Sequence, residues 1–127
     1  TEPDLSHVKE LSRLFDTSME ATALRYVALS DFQVAMVFAQ GNVVRHAWRG
    51  PEFPFFLDVK KGSSLPKDSQ SVLNGADDTV ADFDSIESYW WINTDRGPRP
   101  PDEILEQTLY QRDGYRIIML FANSDDE

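Results

Sequence analysis

The sequence predicts an α+β domain, in which a pair of short helices precedes an antiparallel sheet of about five to six strands with one or two further short helices. Three observations carry this. Apolar residues recur every three to four positions up to about residue 29, the period switches to two at Phe32, and Gly41-Asn42 and Asp113-Gly114 each lie between two apolar runs, where a hairpin turn belongs.

The first helix covers 5–15, where Leu5, Val8, Leu11, Leu14 and Phe15 form an apolar stripe and Lys9, Glu10 and Arg13 turn outward. Asp16-Thr17 interrupts it. Ser18 then caps a second helix over about 19–29, with Ala21, Leu24, Val27 and Ala28 facing inward. Phe32, Val34, Met36 and Phe38 alternate with Gln33, Ala35, Val37 and Ala39 in a half-buried strand. After the turn at Gly41-Asn42, residues 43–49 return with Val44, His46 and Trp48 on one face.

Gly50-Pro51 and Pro54 end that strand, and 55–59 reads as a short third one. Residues 60–85, rich in Gly, Ser, Asp and Asn, predict loop around one short helix at 69–74. The aromatic run 86–92 returns to strand chemistry. Arg96-Gly97-Pro98-Arg99-Pro100-Pro101 is a partly polyproline-like loop, because proline cannot donate to a central ladder. Residues 103–112 and 115–122 form the last hairpin, and the second of these is apolar on both faces, which predicts a central strand. The tail 123–127 is acidic and expected to fray.

Composition narrows the function classes. The 127 residues suffice for one core, and no apolar run approaches the roughly 18 residues of a membrane helix. Absence of cysteine removes disulfides and thiolate metal sites, which suits a cytoplasmic setting. The chain opens at Thr1 without an initiator methionine, which reads as a piece of something longer. Its net charge of −10 is uneven, −2 over 1–60 and −8 over 61–127. Affinity for nucleic acid comes largely from Lys and Arg neutralising phosphates, so this balance argues against direct DNA or RNA binding.

The stretch LSRLFDTSMEATALRYVALSDFQVAMVFAQGNVVRHAWRG (11–50) has a helix ending in Leu-Phe, a nearby serine, an alanine-bearing helix ending in Arg-Tyr, and a strand hairpin. Lys61-Gly62-Ser63 before a polar helix, an aromatic strand at Trp90-Trp91 and the EILEQTLYQRDGYRIIML hairpin (103–120) follow in order. Together these resemble the region after the catalytic domain in ImmA/IrrE zinc metallopeptidases. The resemblance implies a helix-turn-helix-like linker at 1–30 and a GAF-like sensor-type domain at 31–127, in proteins whose cleavage of a repressor switches on stress or mobile-element genes. Such enzymes build their zinc site from H-E-x-x-H on a helix. That motif is missing here, and His7 and His46 have no matching spacing. Catalytic and metal-ligating residues are therefore expected to be none in this chain, with zinc confined to a preceding catalytic domain.

The remaining chemistry-bearing residues each have a plain reading. His7-x-x-Glu10 reads as a surface pair, and His46 as a satisfied, partly buried side chain. Asp77, Asp78, Asp82 and Asp84 lack the calcium-loop pattern, and Asp102, Glu103 and Glu106 read as first-turn or strand-edge charges. A DNA-reading second helix would rely on Arg25 alone, set against Glu20. Pro98 to Pro101 fits P-x-x-P but reads as a turn. Trp48, Arg49, Trp90, Trp91, Arg96 and Arg99 form the candidate binding surface, because adjacent Trp90 and Trp91 point to opposite faces of a strand and the arginines flank aromatic or proline segments.

The functional expectation is a regulatory, sensor or substrate-recognition module without chemistry of its own. Its partners would be the preceding peptidase domain, a protein substrate such as a repressor, or a small-molecule effector. The alternatives are a stand-alone acidic adaptor and, third, a DNA-binding regulator acting through 5–29.

Overall fold

The computed structural model describes residues 2–122, so the acidic tail 123–127 and Thr1 lie outside the described residues. Its order is α1 (Leu5–Phe15), α2 (Met19–Ala28), β1 (Val34–Gln40), β2 (Val43–Arg49), β3 (Thr79–Val80), β4 (Asp84–Glu87), β5 (Glu103–Tyr110) and β6 (Tyr115–Phe121). The six strands form one antiparallel sheet in the order β2-β1-β6-β5-β3, with β4 also paired to β5. This is the α+β class that the sequence predicts.

Local chemistry sets the element ends. The Asp4 carboxylate accepts Ser6 N–H at 2.8 Å to start α1, and Asp16 ends it in the left-handed region at φ 52°. Ser18 Oγ accepts Ala21 N–H at 3.1 Å to start α2. Gly41 at φ 58°, and Asp113 and Gly114 at 58° and 79°, make the two hairpin turns.

The sheet is covered on both faces. On one face α1 and α2 bury Leu5, Val8, Ala23 and Val27 against Val34, Met36, Phe38, Leu109, Ile117 and Met119. On the other, irregular chain brings Phe53, Phe55, Val59, Leu65, Trp91 and Ile92 onto Ala35, Val37, Ile104, Ile118 and Leu120. Each fully buried aliphatic or aromatic side chain contributes on the order of 1.5–3 kcal/mol. β6, central in the sheet, is buried from Arg116 to Phe121, with only its first residue, Tyr115, partly exposed.

Several expectations are corrected by this double cover. β1 is buried on both faces, because Ala35, Val37 and Ala39 meet the second layer. β2 does not keep one face: Ala39 pairs with Val44 and Phe38 with His46, so Arg45 is an extra, bulged residue. Val44 therefore joins the loop-side core while Trp48 packs on the helix side, and His46 is exposed. Residues 55–59 form no strand beyond a single bridge from Leu57 to Ile92. In 86–92 the strand stops at Glu87 and a 3-10 turn, Ser88–Trp90, follows, so Trp90 and Trp91 do not alternate across a strand. The helix expected at 69–74 is a 3-10 turn, Gln70–Val72, and the loop 60–85 contains β3. In α1, Leu14 and Phe15 face solvent; in α2 Val27 is buried as expected, but Ala21 and Ala28 are exposed and Ala23 is buried instead.

Candidate functional site

Phe56 is the point on which two of the candidate residues converge. The Leu57/Ile92 bridge, with Asp58 N–H donating to Trp91 O and Asn93 N–H to Phe56 O, each at 2.8 Å, lays 56–58 beside 91–93. Asp95 N–H donates to Asn93 Oδ1 at 2.9 Å, and Gly97 at φ 74° completes the turn back over Phe56. A Cβ at Gly97 would lie 2.8 Å from the Phe56 ring, so only glycine allows this approach. Arg96 then sits with Cζ 4.3 Å from the ring centroid. From the other side of the sequence Arg49, the last residue of β2, places its Cζ 4.7 Å from the same centroid and donates from Nη1 to Phe55 O at 3.2 Å.

Both guanidiniums are exposed, and neither has a carboxylate partner among the described residues. In a chain of net charge −10 that arrangement concentrates positive charge where most of the surface is negative. A cleft of about 500 Å³ runs beside it, walled by β2 from Ala47 to Arg49 and by Phe53, Phe56, Leu57 and Val59.

The other candidates are dispersed. Trp48 leaves β2 on the face opposite Arg49, with its ring 4.9 Å from Phe38 and 5.0 Å from His46. Trp91 is fully buried and donates from Nε1 to Glu106 Oε1 at 3.0 Å, which makes it a core residue. Trp90 is half-buried between Tyr89 and Lys67, and its Nε1 has no hydrogen-bond partner among the described residues. Arg99 is exposed, 4.0 Å from Asp102.

Glu106 departs from its reading as a strand-edge charge. It is fully buried at the centre of β5, where its carboxylate accepts Ser69 Oγ–H at 2.8 Å, Gln70 N–H at 2.8 Å and Trp91 Nε1–H at 3.0 Å. Burial holds this carboxyl above the ordinary glutamate range, with Asp84 adding to the rise and those hydrogen bonds only partly offsetting it. The group ties 69–72 and the Trp91 turn to the sheet. Arg116, also buried, holds the same segment through Ser71 O and Leu73 O.

The helix pair carries a second surface. A groove of about 860 Å³ runs along Leu11, Phe15, Ala21, Arg25, Leu29 and Phe32, of which Phe15 and Leu29 are 70% and 72% exposed. Arg25 shares this groove with Asp31, so no basic stripe forms on α2. Beside it the Tyr26 hydroxyl accepts Asp4 N–H at 3.0 Å and lies 2.9 Å from His7 Nδ1. Burial raises the Tyr26 pKa. Among the described residues no three of His, Asp and Glu gather in a way that could hold a metal ion, and no helix is long and apolar enough to cross a membrane.

Sequence reasoning picked out Arg49 and Arg96 but not Phe56, which reads as one of several strand aromatics. The available signal is Arg96-Gly97, an arginine beside a glycine in a proline-rich loop. Neither a protein-family model nor a curated protein matches the chain significantly.

Proposed function

We propose that this chain is a non-catalytic recognition module that binds an anionic group of a protein partner at the Arg49–Phe56–Arg96 cluster. One observation carries the reading: two guanidiniums lying over one ring, with no carboxylate ion pair among the described residues, on a strongly acidic chain. Arginine held against an aromatic face is pre-organised for carboxylate recognition, because stacking fixes the fork while its N–H groups stay available.

The setting that fits this role is the regulatory or substrate-recognition part of an ImmA/IrrE-like metallopeptidase acting on a repressor in the cytoplasm. The order of helix pair, strand hairpin and terminal hairpin supports it. In that setting zinc and peptide hydrolysis belong to a preceding domain, and this chain positions the protein to be cut. A stand-alone acidic adaptor is the alternative, and the exposed apolar groove on the helix pair favours it equally as a contact surface.

The test is calorimetric titration of the purified chain with a glutamate-rich peptide and with its glutamine counterpart, at low and high salt. Binding that needs glutamate, weakens with salt and disappears in Arg49→Glu or Arg96→Glu is expected. Equal binding of both peptides removes the anionic reading, and one tightly held zinc per purified chain removes the non-catalytic one.

A further inference from the structure

β2 is the outermost strand on its side of the sheet, so among the described residues one of its backbone edges has no strand beside it. The register identifies the groups on that edge. Ala122 N–H donates to Gln33 O at 2.9 Å and Gly50 N–H to Val34 O at 2.8 Å, so β1 bonds β6 through its odd-numbered residues and β2 through its even-numbered ones. Met36/Trp48 and Phe38/His46 are then the hydrogen-bonded pairs, and the N–H and C=O groups of Ala47 and Arg49 point away from β1. The start of this edge is covered, because Val44 N–H donates to Ser63 O at 2.8 Å and Gly62 N–H to Val44 O at 2.9 Å. Past the bulge at Arg45 the cover ends, and the 500 Å³ cleft opens along Ala47 and Arg49.

We infer that this edge accepts an acidic, extended segment of a partner protein as an added β-strand. The inference rests on the anionic reading of the Arg49–Phe56–Arg96 cluster and specifies how the partner is held. Main-chain bonds to Ala47 and Arg49 supply affinity, and side chains that alternate across the new strand supply selection. Residues on its loop side meet Arg49 and Arg96 over Phe56, while residues on its other side run along Trp48 and His46, whose rings lie 5.0 Å apart. The preferred sequence therefore has a carboxylate at every second position and an apolar residue between.

Bulges and edge charges are devices that keep strands from pairing indiscriminately. Here the bulge at Arg45 shortens the usable edge, and the arginines discourage any strand without carboxylates. A second copy of this chain offering its own β2 is such a strand, since Val43–Arg49 contains no acidic residue.

The experiment uses a short peptide alternating glutamate and valine, its glutamine counterpart, and a version N-methylated on alternate residues of the bonding edge. Amide hydrogen exchange and nuclear magnetic resonance shifts are read at Ala47 and Arg49 in the wild-type chain and Arg96→Glu, and at Arg49 alone in Ala47→Pro. Proline on an outward-facing edge position removes a donor that the fold itself does not use, so Ala47→Pro keeps the sheet. Expected are slowed exchange of the Ala47 and Arg49 amides on binding, and affinity lower by about tenfold or more in Ala47→Pro, in Arg96→Glu and with the methylated peptide. Binding that needs glutamate but leaves both amides unprotected and survives methylation overturns strand addition while leaving the anionic site intact. No binding of the glutamate peptide overturns both. Protection of the same amides that rises with protein concentration, without peptide, assigns the edge to a second copy and overturns the acidic partner.

Discussion

Gln107, in the middle of β5, accepts the backbone N–H of Leu5 through Oε1 at 2.7 Å, so the first turn of α1 is satisfied by a side chain 102 residues away. Its Nε2 donates to the Asp4 carboxylate at 3.0 Å, and Asp4 in turn caps Ser6 N–H. Burial raises the Asp4 pKa, but the bonds from Ser6 and Gln107 outweigh it and leave the carboxyl below its ordinary value. One amide thus fastens the helix pair to the sheet from both ends of its side chain.

Gln107→Leu leaves a buried donor at Leu5 unpaired and is expected to cost about 1–3 kcal/mol. Gln107→Glu keeps the acceptor but sets a second carboxylate against Asp4, so it should cost more than Gln107→Leu at neutral pH and recover as Asp4 protonates. Urea midpoints at two pH values measure both, and equal losses in the two variants contradict the bidentate role.

Glu106 makes stability depend on pH in the opposite sense to a paired surface carboxylate. Its folded pKa is raised, so the stabilisation it provides is complete below the unfolded value and is lost as pH climbs through the folded one. Glu106→Gln removes this ionisation but offers an NH₂ where Ser69, Gln70 and Trp91 all donate, a loss of about 1–3 kcal/mol at acid pH. The gap between wild type and Glu106→Gln in chemical unfolding should therefore narrow as pH rises from mildly acid to neutral. A gap that widens shows that the charged form is the favoured one.

These two residues also mark what the sequence could and could not reveal. Turns and caps were legible because they depend on near neighbours: Ser18 had to cap a helix, and Gly41 and Gly114 had to supply positive φ. The apolar run in β6 was legible as a central strand for the same reason that buried strands lack alternation. Glu106 was not, because a carboxylate in an alternating strand reads as solvent-facing until the segments carrying Ser69 and Trp91 are known to cover that face. The side-chain directions in β2 failed at Arg45, since no glycine marks the bulge. In the candidate site, Arg49 and Arg96 were visible as cations, but Phe56 depends on the Leu57/Ile92 bridge, a pairing that no local pattern encodes.

The helix pair should not bind DNA. Arg25 lies in an apolar groove beside Asp31, and the other arginine near α2, Arg45, is paired to Glu20 at 2.5 Å. Without a basic stripe there are too few phosphate contacts to release counterions. A gel-shift assay at low salt is expected to show no retarded species, and salt-sensitive retardation lost in Arg25→Glu would revive the regulator reading.

The stacking on Phe56 can be measured directly. Phe56→Leu keeps an apolar side chain in the half-buried position but removes the ring over which both guanidiniums lie. Exposed cation–π contacts contribute about 0.5–1 kcal/mol each, so a double-mutant cycle between Phe56→Leu and Arg96→Ala should give a coupling of that size in unfolding free energy. A second cycle with Arg49→Ala should do the same, because the hydrogen bond from Arg49 to Phe55 O is lost in both backgrounds and cancels. If the ring pre-organises the arginines for an acidic partner, Phe56→Leu also weakens binding of a glutamate-rich peptide while every charge stays in place. Zero coupling in both cycles, with peptide affinity unchanged, would mean that the guanidiniums merely lie near the ring, and charge alone would then have to explain any recognition.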